Sequence, residues 1–434
     1  MRIDPATLSD LELLQASDGG PGVLALIDRT QTRRGRSALA ALVNSPRTTY
    51  RGVREAQSCV RFFAVNQGVL RLSEAACHAV EEYVDSNLAI MPRPPWGDRI
   101  AEIELRFRYP DVFREMRDGV SLTRSLFRRL AKTSDGLMQR DPPERIRSLL
   151  ASIKKVSDSV LGFGQDLVPA SDRYYRGELG GVIKEALASV AELDMWCSQG
   201  SFAGDVGWSF PEVLDSPGFL IEAEDLVHPL LPEGVGNPVR LTGGEPMVFL
   251  TGPNMAGKTT YLRAVGLLVA LAQIGLPVPA SRARLTPVDC LLSSLNPSDN
   301  LRAGLSYFMA EVNRVREAAE LVIKGHRALV LFDEVFKGTN VRDALEASAE
   351  VISGFAKARG SGFIFSSHLA ELAEVLGNDD GVQFAYFDGD IRSGRPEYPY
   401  QLRVGVSDKR FGMVLLRQAG IPEMMDQLGS SSAA

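Results

Sequence analysis

The reading of this chain turns on residues 247–273: MVFLT (247–251), then GPNMAGKT (252–259), then TYLRAVGLLVALAQ (260–273). A short run of four apolar residues closed by Thr251 predicts a buried strand, and the last segment, apolar at three- and four-residue steps, predicts a helix. Between them stands the spacing GxxxxGK[ST]. In a loop of that kind, Gly252, Pro253, Asn254, Met255, Ala256 and Gly257 wrap a phosphate chain with backbone N–H groups and the helix N-terminus. Lys258 then reaches the β- and γ-phosphates, and Thr259, followed by Thr260, offers a hydroxyl to Mg²⁺. A glycine-rich turn of no function is the competing account, and the flanking strand and helix argue against it.

Working outward, Asp333 and Glu334 close the apolar run ALVLF, which puts two carboxylates at the carboxyl end of a strand, where open α/β sheets bind ligands. Asp333 suits the Mg²⁺ contact and Glu334 suits activation of a water. His368 follows GFIFSS and falls on the same sheet edge, within range of a γ-phosphate or an attacking water. His78, His228 and His326 have no such placement and read as structural. The order GFLIEA, MVFLTG, ALVLFDE, GFIFSSH, with helical segments between, predicts an α/β domain with a mostly parallel sheet.

Upstream the pattern is helical. No proline interrupts residues 47–91, and apolar residues there recur at helical spacing. MPRPPWG (91–97) and Asp141-Pro142-Pro143 break the helices, and a Gly/Pro-rich stretch over 200–218 marks the boundary. The expected division is therefore a helical domain over 1–217 and an α/β domain over 218–434.

With 434 residues, 48 Lys+Arg against 54 Asp+Glu, and a net charge of −6, the chain holds two or three domains and is not coated in basic charge. Any nucleic-acid contact has to be regional. Cys59, Cys77, Cys197 and Cys290 lie far apart with no CxxC pair, which speaks against a disulfide framework or a zinc site. The N-terminus lacks the basic-then-apolar order of a signal peptide, and the longest apolar run, around Val265–Ala272, is far short of the ~20 residues that span a bilayer. A cytoplasmic protein without membrane contact is expected.

The segments TGPNMAGKTTYLRAVGLLVALAQIGLPVPA, LSYFMAEV, LVLFDEVFKGTN and SSHLAEL together resemble the ATPase domain of MutS-type mismatch-repair proteins, within the ABC-type class. DPATLSDLELL, ALIDRTQTRRGRSALAALVNSP, ELDMWCSQ and EDLVHPLL are similar to the core domain of that family and its join to the ATPase, and YQLRVGVSDKRFGMVLLRQAGIPEMM continues the likeness downstream. Residues 85–190 carry little of it. The resemblance implies an ABC-type P-loop α/β ATPase domain preceded by an all-α core and lever-like domain, using ATP and Mg²⁺ in a homodimer. It implies that Ser306 contacts a γ-phosphate bound to the other subunit, that Lys337-Gly338-Thr339-Asn340 forms a subunit-interface loop, and that Tyr400 packs on adenine. A helix-capping Ser306 and a core Tyr400 are the structural alternatives.

The departures also carry expectations. A full-length member has an N-terminal mismatch-recognition domain with a Phe-x-Glu wedge and a connector domain, whereas this sequence opens on the core-like segment. A short MutS-like paralogue with weak mismatch discrimination is expected. The signature reads Ser-Tyr-Phe rather than Ser-Thr-Phe, and Phe336 replaces a common glycine. Residues 99–155 hold 14 Lys/Arg against 8 Asp/Glu, so double-stranded DNA could be held there by phosphate contacts. A solvated helix face explains the same run. Two functions fit: a DNA-associated ATPase switch in DNA repair, or an ABC-type ATPase whose helical domain docks on a protein or ribonucleoprotein without gripping DNA.

Overall fold

The computed structural model describes all residues except 17–18, 165, 232, 296–306, 337, 378, 393–394, 408, 410–415, 423 and 426–434. The chain divides into two compact units, one built from residues 1–26, 43–54 and 208–434, the other from 27–42 and 55–207.

The first unit is mixed α/β. Its main sheet has seven strands in the order Arg2–Ile3, Cys290–Ser294, Ala328–Asp333, Gly362–Ser366, Met247–Thr251, Val382–Phe387 and Leu402–Val404. All neighbours are parallel except the last pair. Met247–Thr251 and Gly362–Ser366 are buried along their whole length, which is why they read as unbroken apolar runs rather than alternating ones. Helix Lys258–Gln273 is buried nearly all round, so its apolar residues are not confined to one stripe. A smaller sheet orders Glu212–Val213, Arg282–Leu285, Leu220–Leu226 and Asn237–Thr242.

The N-terminal segment corrects the expectation that residues 1–217 form one helical domain. Arg2–Ile3 pairs with Cys290–Leu291 as an edge strand of the main sheet. Asp4 then caps helix Pro5–Asp10 by accepting from Thr7 N. Ser293 N donates to Thr7 Oγ1 at 3.0 Å, and Ser293 Oγ and Leu295 N both donate to Asp10 Oδ2, at 2.7 and 2.9 Å. Buried polar groups of two segments almost three hundred residues apart thus satisfy one another. No local pattern in the first ten residues encodes that pairing.

Among the described residues, the second unit contains helices and no strand. Helix Pro110–Met138 packs on Glu144–Gly162, which packs on Gly180–Asp205. A buried network, Tyr83 Oη to Asp172 Oδ1 at 2.8 Å and Arg176 Nε to the same oxygen at 2.8 Å, holds the π-helical segment Arg173–Glu178. Gly200 lets helix Gly180–Asp205 lie against the helix that carries Phe63: a Cβ there would stand 2.3 Å from Phe63 Cβ and 2.7 Å from its carbonyl carbon. Backbone cannot retreat as a side-chain tip can, so Gly200→Ala should lower stability by about 1–3 kcal/mol. A urea midpoint unchanged from wild type would contradict this packing.

Candidate nucleotide site

Gly252 follows the buried strand at φ 138°, and a Cβ on it would meet Phe387 O at 2.5 Å, so only glycine permits this departure from the sheet. Gly257, at φ 105°, precedes Lys258 as the cap residue of the helix, with no side chain capping its first turn. The N–H groups of that turn remain available to an anion. Lys258 is 5% exposed, and its Nζ donates to Gly252 O at 2.8 Å and Pro253 O at 3.3 Å. Glu334 Oε1 stands 3.6 Å from the same ammonium.

Directly after Lys258, in the first turn of the helix, Thr259 Oγ1 donates to Asp333 Oδ2 at 2.5 Å. The other oxygen, Asp333 Oδ1, is buried with no hydrogen-bond partner among the described residues. A buried carboxylate oxygen left unmatched is costly, and a hard cation beside a hydroxyl and a carboxylate would satisfy it. The residues present therefore fit Mg²⁺. Glu334 adopts φ 52°, and its N–H donates to Ser366 O at 2.8 Å. A non-glycine residue in the left-handed region is held there by its surroundings, here at the strand end that carries the charge. Glu334 Oε2 lies 3.9 Å from His368 Nδ1, whose imidazole is 57% exposed.

Asn254, Met255, Gly257, Lys258, Thr259, Thr260, Asp333, Glu334 and Tyr400 line one cleft of about 970 Å³. Ala256 is buried behind it. His368 is not in the cleft wall and meets it only through Glu334. Tyr400, at φ 55°, sets its ring 3.3 Å from where a Gly257 Cβ would be. Ser306 and Lys337 lie outside the described residues; of the expected interface loop, Asn340 caps helix Val341–Phe355 by accepting from Asp343 N. Phe336 takes φ 71° and donates its N–H to Glu311 Oε2 at 2.9 Å.

Two wall residues escape sequence reasoning. Asn237 donates to Tyr400 O at 2.9 Å and accepts from Leu402 N at 2.7 Å, which fixes the segment carrying the aromatic ring. His228 is buried, its Nδ1 accepts from Leu230 N at 3.3 Å, and its Nε2 is buried without a partner among the described residues. Accepting at Nδ1 assigns the proton of the neutral ring to Nε2. Burial, reinforced by the Arg263 guanidinium and opposed by Glu12, pushes the imidazole down to about 4.

That shift has a sign. The unfolded chain takes up the proton near pH 6.5 and the folded chain only near 4, so stability from this site is complete above about 6.5 and falls as pH drops toward 4. The loss should reach about 3 kcal/mol. Urea midpoints for wild type and His228→Asn from pH 7 to 4 check it. Wild type should lose more than the variant, and parallel pH profiles would refute the assignment.

Residues 248–431 match the family model described as MutS domain V. The chain is 36% identical over 255 residues to the DNA mismatch repair protein MutS of Cereibacter sphaeroides, which covers 56% of this chain and 28% of that protein. It is 31% identical over 290 residues to the protein of that name in Acetivibrio thermocellus, covering 64% and 33%. The Natronomonas pharaonis protein of that name gives 31% over 245 residues, 56% and 28%. Within the α/β unit, the stretch that carries the loop and the two carboxylates is thus similar to MutS domain V. The likeness to the MutS family lies in that C-terminal region, and the matches span about a third or less of the length of these relatives.

Proposed function

We propose that the cleft binds ATP with Mg²⁺ and hydrolyses it slowly, as an ABC-type P-loop ATPase site. The observation that carries this is the caged Lys258 ammonium beside a Thr259–Asp333 pair whose remaining carboxylate oxygen is buried and unmatched among the described residues. Domain V is the ATPase domain of the family, which supports the same reading. Lys258 and the first-turn N–H groups hold the β- and γ-phosphates, and Thr259 with Asp333 holds Mg²⁺. Bound there, the cation supplies charge against the phosphate oxygens. Glu334 takes the proton of the attacking water as its oxygen bonds to γ-phosphorus and the β–γ bridge oxygen leaves with ADP. His368 steadies that carboxylate, and Tyr400, held by Asn237, packs on the base. The test is ATP turnover with and without Mg²⁺ in wild type and Asp333→Asn, where the variant should lose the metal dependence together with the rate.

The family resemblance supports a wider role as a dimeric, DNA-associated switch in DNA repair. In the helical unit the basic run is only partly available for it. Seven of the fourteen Lys/Arg over 99–155 face carboxylates within the chain: Arg108, Arg114, Arg117, Arg124, Arg145, Arg147 and Lys154. Arg128, Arg129 and Lys132 are exposed on helix Pro110–Met138 and form no ion pair among the described residues. They are the phosphate contacts of this reading. Replacing all three with Gln should weaken binding to every duplex about equally and flatten the salt slope by about 2–3. The internal pairing favours the second reading, docking on a protein or ribonucleoprotein, and no duplex binding by wild type at low salt would select it.

A further inference from the structure

Helix Asp98–Arg108 buries one face and leaves the opposite one uncovered. Ala101 and Leu105, four residues apart, turn inward, Leu105 joining Phe113 and Met116. Ile100 and Ile103, each 53% exposed, and Phe107, 83% exposed, turn outward; Trp96, before the first turn, extends the row at 56%. These side chains expose roughly 500 Å² of mostly apolar surface, near the upper end of what a monomer leaves in water.

The spacing identifies what fits. Residues 100, 103 and 107 are a, d and a of a heptad, with Ile, Ile and Phe in the seam. Arg99 then falls at g and Glu104 at e. In a parallel pair of such helices g of one faces e of the other five residues on, so Arg99 meets Glu104 of the second copy twice, once in each direction. An antiparallel pair would instead bring the Arg99 and Arg106 flanks together as like charges. Arg99 makes no ion pair among the described residues. Glu104 accepts from Arg108 Nη1 at 2.9 Å, but that bridge is exposed and weak, and a carboxylate can accept from two guanidinium groups.

We propose that this face is a self-association surface, in which Ile100, Ile103 and Phe107 of two copies pack as a short parallel seam closed by reciprocal Arg99–Glu104 pairs. Two such faces bury about 1,000 Å² in total, the lower bound for a specific interface, so the contact is weak when it acts alone. It lies wholly within the helical unit and does not depend on the nucleotide reading.

The test uses the full chain without nucleotide. Ile103→Cys under mild oxidation should give a crosslinked dimer at least fivefold above wild type, and Ser125→Cys, exposed on helix Pro110–Met138, should not. Arg99→Glu or Glu104→Arg, each in the Ile103→Cys background, should cut crosslinking at least fivefold, and the double swap should restore it. All of these positions are surface-accessible, and circular dichroism of each variant checks its fold. Phe107→Asp should shift the sedimentation coefficient of concentrated protein toward the monomer value. Equal crosslinking at positions 103 and 125, a wild type that stays monomeric at every concentration, or a double swap that fails to restore the product would overturn the proposal. So would loss of the product in Lys258→Ala, which would assign the contact to nucleotide-driven pairing. Binding of a monomer through this face to an acidic helical peptide or to anionic vesicles would overturn it in favour of that occupant.

Discussion

Lys258→Ala should raise the dissociation constant for Mg·ATP at least about 100-fold, close to 3 kcal/mol, and abolish turnover. The ammonium is buried and held by two loop carbonyls, so it is already placed where phosphate oxygens arrive and loses little freedom on binding. Its removal does more than delete a contact. Glu334 Oε1, 3.6 Å away, would keep its negative charge facing the phosphates without the cation that balances it. Lys258→Arg should fail as well, because a planar guanidinium does not fit a cage shaped for a compact ammonium. Equilibrium titration with a fluorescent ATP analogue reads the effect. Affinity within threefold of wild type would remove Lys258 from the site.

For Glu334→Gln, nucleotide affinity should stay within a few-fold of wild type while the hydrolysis rate falls by about 100- to 10,000-fold. Glutamine preserves the shape and the left-handed backbone, and its N–H can still donate to Ser366 O, so the change isolates the charge and basicity of one carboxylate. Its neutral amide also no longer opposes the incoming phosphates. Single-turnover measurement with saturating Mg²⁺ separates chemistry from binding and product release. A native rate in this variant would move the base elsewhere, and His368, with Nδ1 3.9 Å from Glu334, is the imidazole to test next.

The two residues behind these predictions were legible in the sequence for the same reason. Lys258 and Glu334 each follow a strand whose apolar run is set by burial on both faces, and a parallel sheet delivers successive strand ends to one edge. Asp333 and His368 follow the same rule. His228 does not: it precedes Pro229 in a segment without a clear period, and its place in the cleft wall depends on the fold around it. Asn237 was equally silent, since an asparagine between Gly236 and Pro238 reads as a turn until its amide is seen spanning Tyr400 and Leu402. The basic run over 99–155 misleads in the opposite direction. Composition counts charges, and only the folded helices show that half of the cations face carboxylates as distant as Glu192 and Asp166.

What the sequence by itself determined is what local physics encodes: the strand, loop and helix over 247–273, glycines where only glycine tolerates the backbone, and carboxylates closing apolar strands. These depend on neighbours within about ten residues, and the periodicity of side chains reports them directly. The tertiary structure alone decided that Arg2–Ile3 joins the main sheet beside Cys290–Ser294, that Asp10 satisfies Ser293 and Leu295, that His228 and Asn237 enter the cleft, and which arginines stay unpaired. Each is a pairing across tens to hundreds of residues, fixed by the requirement that buried polar groups find partners, and that requirement can be read only once the chain has closed on itself.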